Sequence, residues 1–320
     1  MKIDEKFVVI RPPTRIKYKR FCKNIYKKYN KHYISYSDLG KPILNISLLM
    51  EILVNKLKPK INTSFVRNKK YEEIDFINGI IDVIQNNTYW TRYKGKVPGK
   101  YLNKRHNQYC DWNVYECLLR IVLLSYYSTN KFNKLHYQSI DCTFITNLYG
   151  SEIYGRNSKY KFKNGINMSF IVDAQGQPIS VGINPGNEHD SIIVKEQLST
   201  EFFVDTDTKS VKNNNKYQQC MIGDSAYHSK EIYDILKRKG YKISTDINFR
   251  NTKDENKRKE LEKMKKRYEK KYQNKRMKVE HCNSWIKKYP KLSRLTEKSI
   301  KSFTGLLLLG ISLLAKGKIK

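Results

Sequence analysis

The sequence predicts an α/β fold: a mixed sheet with flanking helices, preceded by a mostly helical N-terminal region. Three observations carry this reading. Apolar residues keep helical spacing in two stretches between residues 71 and 126. Short, partly β-branched apolar runs begin near residue 136. From there strand-like and helix-like runs alternate. With 320 residues, 39% of them hydrophobic, the chain can build one large core or two ordinary ones.

Residues 1–40 are basic and aromatic, are broken at Pro12-Pro13, and read as an N-terminal arm. In Tyr71–Gln85 the residues Ile74, Ile77, Ile80, Ile81 and Ile84 fall on one helical face. Val114–Tyr126 is a second helix, with Cys117, Leu118, Ile121 and Leu124 together. The basic stretch 91–112 between them holds glycines and a proline, lies between Trp90 and Trp112, and reads as a loop. Residues 41–130 are thus expected to form a helical domain, and 131–320 a second domain.

In that second region, 136–145 is a short strand, and 165–183 is two strands joined by a turn at Ala174–Gln177. A helix starts at Asp190, with Asp190 as its cap, and runs to about Thr200. Tyr217–Ile222 is a short buried strand, Ser229–Lys239 a helix stopped by Gly240, and Tyr241–Ile247 another strand. A long charged helix, with room for an interruption, spans about 254–289 and stops before Pro290. The apolar run Leu306–Ala315 is about half a membrane span and reads as a core helix.

The charge narrows the partners. Lys and Arg number 63 against 30 Asp and Glu, a formal net charge of +33. Residues 251–320 alone hold 22 basic and 7 acidic residues. AT-rich codons favour lysine and explain part of this, but an excess this large repels itself unless a polyanion neutralises it. Double-stranded DNA fits, because each neutralised phosphate releases counterions; no membrane is called for. The helical domain is expected to contact DNA. Arg156, Lys159, Lys161 and Lys163 alternate with Tyr160 and Phe162, as a clamp on a DNA backbone or as a solvated edge hairpin guarded by lysines. The six cysteines contain no CxxC pair, and the N-terminus has no secretory apolar core, so a reduced, intracellular protein in a DNA-containing compartment is expected.

Three carboxylates stand in settings that suggest chemistry. Asp141 interrupts an apolar strand between Ile140 and Cys142, where a carboxylate has to be paired, hydrogen-bonded or metal-bound. Asp224 follows Cys220-Met221-Ile222-Gly223 at the carboxyl end of a buried strand, the edge where α/β sheets place their sites. Glu280 shares a helix face with Arg276, Asn283 and Lys287, while Val279, Cys282 and Ile286 form the face able to pack. Oxygen donors of this kind suit Mg²⁺ or Mn²⁺, and two such ions can serve a phosphodiester. His189, beside Asp190, and His228, four residues after Asp224, are candidates for the edge of the site or plain surface histidines.

The segments IDCTFI, GRNSKYKFKNGI, NEHDS (187–191), GDSAYHS (223–229) and KVEHCNSWIKKYPKL (278–292) resemble DDE transposases of the insertion sequence four and five group. The acids fall in the family's order, 83 and then 56 residues apart. Arg276-x3-Glu280-x6-Lys287 matches the last three places of the family's Tyr-x2-Arg-x3-Glu-x6-Lys signature, whereas Tyr272 is one residue too far from Arg276. The resemblance covers about 136–292 and, more faintly, 71–112. It implies a ribonuclease-H-like core with catalytic Asp141, Asp224 and Glu280 holding two Mg²⁺ or Mn²⁺ ions. Asp141 would bridge both ions, and the other two acids would each complete one. It further implies hydrolysis at the ends of a mobile element, attack of the freed 3′-hydroxyl on target DNA, and a homodimer at synapsis. A relative that binds DNA without cutting it, and a nuclease on the same fold, are the alternatives.

Overall fold

The computed structural model describes residues 8–10, 45–59, 70–86, 88–128, 136–149, 152, 155–199, 219–238, 241–247 and 254–318. The expected arm therefore lies outside the described residues, apart from Val8–Ile10. In chain order the elements are β1 (Val8–Ile10), α1 (Ile46–Leu57), α2 (Glu73–Gln85), α3 (Gly99–Asp111), α4 (Val114–Ser128), β2 (Tyr137–Asn147), β3 (Gly155–Asn157), β4 (Lys163–Val172) and β5 (Pro178–Pro185). They continue with α5 (Asp190–Ser199), β6 (Cys220–Gly223), α6 (Lys230–Arg238), β7 (Lys242–Thr245), α7 (Glu255–Lys287) and α8 (Ile300–Lys318). They fall into two units. A sheet unit holds residues 1–14, 130–147 and 153–285, and a helical unit holds 15–129, 148–152 and 286–320.

In the helical unit, α2 starts with a reciprocal cap between Glu72 and Asp75, which satisfies donors that the first turn leaves open. It buries Ile77, Ile80, Ile81 and Ile84, the face that the periodicity predicts. The basic stretch 91–112, expected as a loop, holds a helix instead: Gly99–Asp111 is α3. Its polar composition hid a narrow apolar face of Leu102, His106, Tyr109 and Cys110, all buried. Pro98 sets the start, its carbonyl accepting from the Tyr101 and Leu102 amides. Glycine is required at position 99, because a Cβ there would run into the Trp90 carbonyl. α8 carries the apolar run Leu306–Ala315, with Leu306, Leu307, Leu309, Ile311 and Ala315 fully buried. It is long and apolar enough to cross a membrane, but 72% of that stretch is buried inside the protein.

The sheet runs β1-β5-β4-β2-β6-β7, with β3 hydrogen-bonded to β4. β2, β4 and β5 form an antiparallel meander. β6 and then β7 join parallel to β2. With α5, α6 and α7 interleaved, this is a mixed α/β sheet of ribonuclease-H-like order. β4 and β5 are buried almost throughout, which is why they read as continuous apolar runs rather than alternating ones. The charged helix is one uninterrupted run of 33 residues.

Candidate active site

Asp141 and Asp224 are brought level by strand register. Ser139 on β2 pairs with Ile222 on the parallel strand β6, so the residues two positions further along both strands are Asp141 and Asp224. Neighbouring strands lie about 4.8 Å apart. β6 ends at Gly223, and Asp224 turns into a short 3₁₀ turn, Ser225–Tyr227, whose Ala226 amide donates to Asp224 Oδ1 at 2.8 Å. A Cβ at Gly223 would press on the Tyr227 ring at 2.7 Å. The glycine thus lets the chain turn tightly there.

Three hydrogen bonds fix α7 against these strands. Tyr268 Oη donates to the Gly223 carbonyl at 2.8 Å, and Ser139 Oγ donates to the Lys275 carbonyl at 3.0 Å. Asn283 Nδ2 donates to Asp141 Oδ2 at 2.9 Å. Val279 and Cys282 are buried, as the helical spacing predicts. Glu280 stands one turn before Asn283, about 4.5 Å along the axis. It is half-exposed and accepts from Arg276 Nη2 at 2.7 Å.

The electrostatics follow from that placement. Asp141 has its carboxyl pushed up to about 7 by burial, then by the charge of Asp224, with Glu280 adding and Arg276 opposing. With Glu280 turned to Arg276, no three His, Cys, Asp or Glu side chains among the described residues converge as a metal-holding group. The donors still fit a hard cation. They are carboxylate oxygens whose mutual repulsion a cation would relieve. The Asn283 Oδ1 beside them is buried without a hydrogen-bond partner.

The remaining predicted residues are all exposed. Lys287 is exposed at the last residue of α7. Arg156 on β3 and Lys161 in the following turn are exposed, and β3 pairs only with β4. His228 is exposed and meets Thr245 Oγ1 through Nδ1 at 3.0 Å. His189 is exposed, and its Nδ1 accepts from the Ser191 amide at 3.2 Å. His189 therefore stands where the capping role was expected for Asp190, which is the first helical residue instead. The carboxyl of Asp190 is raised by burial against the pull of Lys159 and His189, and by the charge of Asp224.

Asn283 is the residue whose closeness to Asp141 the sequence reading missed; Asp190, which feels the charge of Asp224, belongs to the cluster with His189 that the sequence offers for the edge of the site. For Asn283 the signal was its place three residues after Glu280 on a face judged polar; it is 92% buried. Tyr272 packs with Tyr268, Cys220 and Ile222 in the core.

A family model described as a transposase DDE domain matches residues 137–315 of the chain. Among solved structures, the chain is similar to the catalytic domain of Mos1 mariner transposase at 12% identity. That match covers 68% of this chain and 94% of that one, with a TM-score of 0.24. No curated protein matches the chain.

Proposed function

The chain belongs to the transposase DDE domain family, and on that footing we propose that Asp141, Asp224 and Glu280 carry metal-dependent cutting and joining of DNA. The observation that supports this best is the level placement of Asp141 and Asp224 on adjacent parallel strands, with the turn of Glu280 tied to Asp141 through Asn283. Asp141, Asp224 and Glu280 would hold two Mg²⁺ or Mn²⁺ ions. When bound, such ions supply positive charge to a phosphodiester and acidify a water or hydroxyl beside it.

The protein's own groups do the positioning. Asn283 fixes the Asp141 carboxylate, and the Ala226 amide fixes Asp224. Glu280, paired with Arg276 at 2.7 Å, would be the third acid to hold an ion, and the Arg276 guanidinium would then be free to grip a neighbouring phosphate as a two-toothed fork. Lys287, Arg156 and Lys161 add charge for the backbone. Water would attack the phosphodiester at an element end, breaking the P–O3′ bond so that the 3′-oxygen leaves as a hydroxyl and the phosphate stays on the flanking 5′ end; that hydroxyl would then attack a target phosphodiester, forming a new P–O3′ bond as the target's own 3′-oxygen leaves as a hydroxyl. Two copies of the chain, one on each end, would complete the synapsis.

The test is cleavage of a plasmid carrying the chain's gene with its flanking DNA. Wild type should cut in Mg²⁺. Asp141→Ala, Asp224→Ala and Glu280→Gln should each lose at least about a hundredfold in rate with DNA binding retained. Near-normal cutting by any one variant would remove that residue from the site. With about six phosphates neutralised, binding should weaken by about 10³ between 50 and 200 mM salt; a flat response would remove DNA as the partner.

A further inference from the structure

The turn between β3 and β4 combines features that a solvated edge hairpin does not need. Lys161 and Phe162 are consecutive residues at φ 56° and 55°, the left-handed region that bulky side chains rarely adopt. Phe162 is nevertheless 69% exposed, so it gains little burial for that backbone. Strain of this kind is kept where the surroundings over-determine it.

Here they do. Asn157 Oδ1 accepts from the Lys159 amide at 3.0 Å, and Asn157 Nδ2 donates to the Gly186 carbonyl at 2.6 Å. The Asn157 carbonyl accepts from the Phe162 amide at 2.9 Å. Below the turn, Tyr160 stacks on Phe144, with ring centroids 4.4 Å apart and planes 14° from parallel. Phe144 in turn lies so close over Gly165 and Gly186 that a Cβ on either would strike its ring. The result is a rigid tip with Tyr160 half-exposed, Phe162 outermost, and Arg156, Lys159, Lys161 and Lys163 exposed around them.

Its place matters. Phe144 stands three residues beyond Asp141 on β2, about 10 Å toward the carboxyl end of the strand and, by alternation, on the other face of the sheet. Lys159 is close enough to Asp190 to favour its charged form. The tip thus belongs to the same end of the sheet as the acids.

We propose that this tip is a DNA wedge: Phe162 inserts against the bases beside the phosphate held at Asp141 and Asp224, while the surrounding lysines and Arg156 hold the backbone. The proposal rests on the reading of those acids as a DNA-cutting site, and it adds how the end is opened there. An apolar ring ringed by cations matches what unstacked duplex presents, with bases uncovered and phosphates on either side. The occupant is distorted duplex rather than a protein surface, because the charged residues exposed around the ring, Arg156, Lys159, Lys161 and Lys163, are all cationic.

The test is binding by fluorescence anisotropy of the full chain, without divalent ions, to a 30-base-pair duplex. One form is fully paired and one carries a central two-base mismatch with 2-aminopurine beside it. A wedge is spared most of the unstacking cost on the mismatched form, so wild type should prefer it about tenfold. 2-Aminopurine emission should change on binding. Phe162→Ala and Phe162→Gly should abolish the preference and the emission change, with affinity for paired duplex within about twofold of wild type. Phe162→Trp should keep both. Phe162→Gly should also melt no lower than wild type, since glycine suits that backbone; this separates loss of the wedge from loss of the fold. A Phe162→Ala protein that keeps the mismatch preference, or a wild type that binds paired duplex without preferring the mismatch, overturns the wedge and leaves the DNA-cutting reading standing. A wild type that binds neither duplex overturns both.

Discussion

Two groups of charged residues, one in each unit and each at least partly buried, are resolved in opposite ways. In the helical unit, Glu297 is 4% and Lys291 3% exposed, and every charge has a partner. Lys291 Nζ donates to Glu297 Oε1 at 2.8 Å, Trp90 Nε1 to the same oxygen at 3.0 Å, and Ser302 Oγ to Oε2 at 2.9 Å. His106 bridges the Ser302 carbonyl and the Tyr115 hydroxyl, at 3.0 and 2.7 Å. Burial pushes the Glu297 carboxyl up, but Lys291 and these hydrogen bonds outweigh it and hold the group below its ordinary range. In the sheet unit, Asp141 faces Asp224, like charge against like, and its carboxyl rises to about 7. The first group is complete without a ligand and serves the fold. The second carries a repulsion between like charges that a cation would relieve.

The largest expected effect lies in the complete group. Lys291→Ala leaves Glu297 buried without its cation and should cost about 3–5 kcal/mol in urea unfolding. Lys291→Ala together with Glu297→Leu should recover most of that loss. A cost below about 1 kcal/mol for the single change would show that the pair is not buried as described.

Next comes pH. Burial keeps His106 neutral down to about 4, whereas an unfolded histidine takes its proton near 6.5. Between those values the unfolded chain binds the extra proton, so stability falls as pH is lowered from about 6.5 to about 4. The span is about 3 kcal/mol at most. His106→Gln should flatten that part of the profile, read by thermal melts across the window.

The smallest effects belong to the cations beside the second group. Arg276→Ala and Lys287→Ala should weaken DNA cleavage or end binding about five- to tenfold at moderate salt while leaving stability within about 1 kcal/mol. Normal cleavage by both would leave the three acids in place and refute a DNA-facing role for this side of α7.

The contrast was only half legible in the sequence. Asp141 and Asp224 announce themselves because a carboxylate inside or just after an apolar run has no ordinary reason to be there. The sheet around them follows from the same runs. The complete group is invisible by that test. Lys291 and Glu297 sit in a charged stretch, His106 in a segment whose basic residues suggested a loop, and Trp90 about two hundred residues before Glu297. Their pairing depends on long-range packing that no local period records. Asn283 shows the same limit at the site. Helical spacing placed it with Arg276 and Lys287, yet it points to Asp141 because α7 is rotated by its bonds to Gly223 and Ser139. The turn at Lys161 and Phe162 was legible as alternating basic and aromatic residues, but not its left-handed backbone, for which neither residue carries a local signal.

The most direct measurement of the central claim is the melting temperature of Asp141→Asn beside wild type at pH 8, with and without Mn²⁺. Asparagine keeps the shape of the side chain and removes the repulsion from Asp224. Without metal the variant should therefore melt higher than wild type, by the equivalent of about 1–3 kcal/mol. Mn²⁺ should raise the wild-type melting temperature in proportion to its binding and leave the variant nearly unmoved. An Asp141→Asn protein that melts lower than metal-free wild type, or that keeps the full response to Mn²⁺, would contradict the account of these acids as a charge cluster that a divalent cation completes.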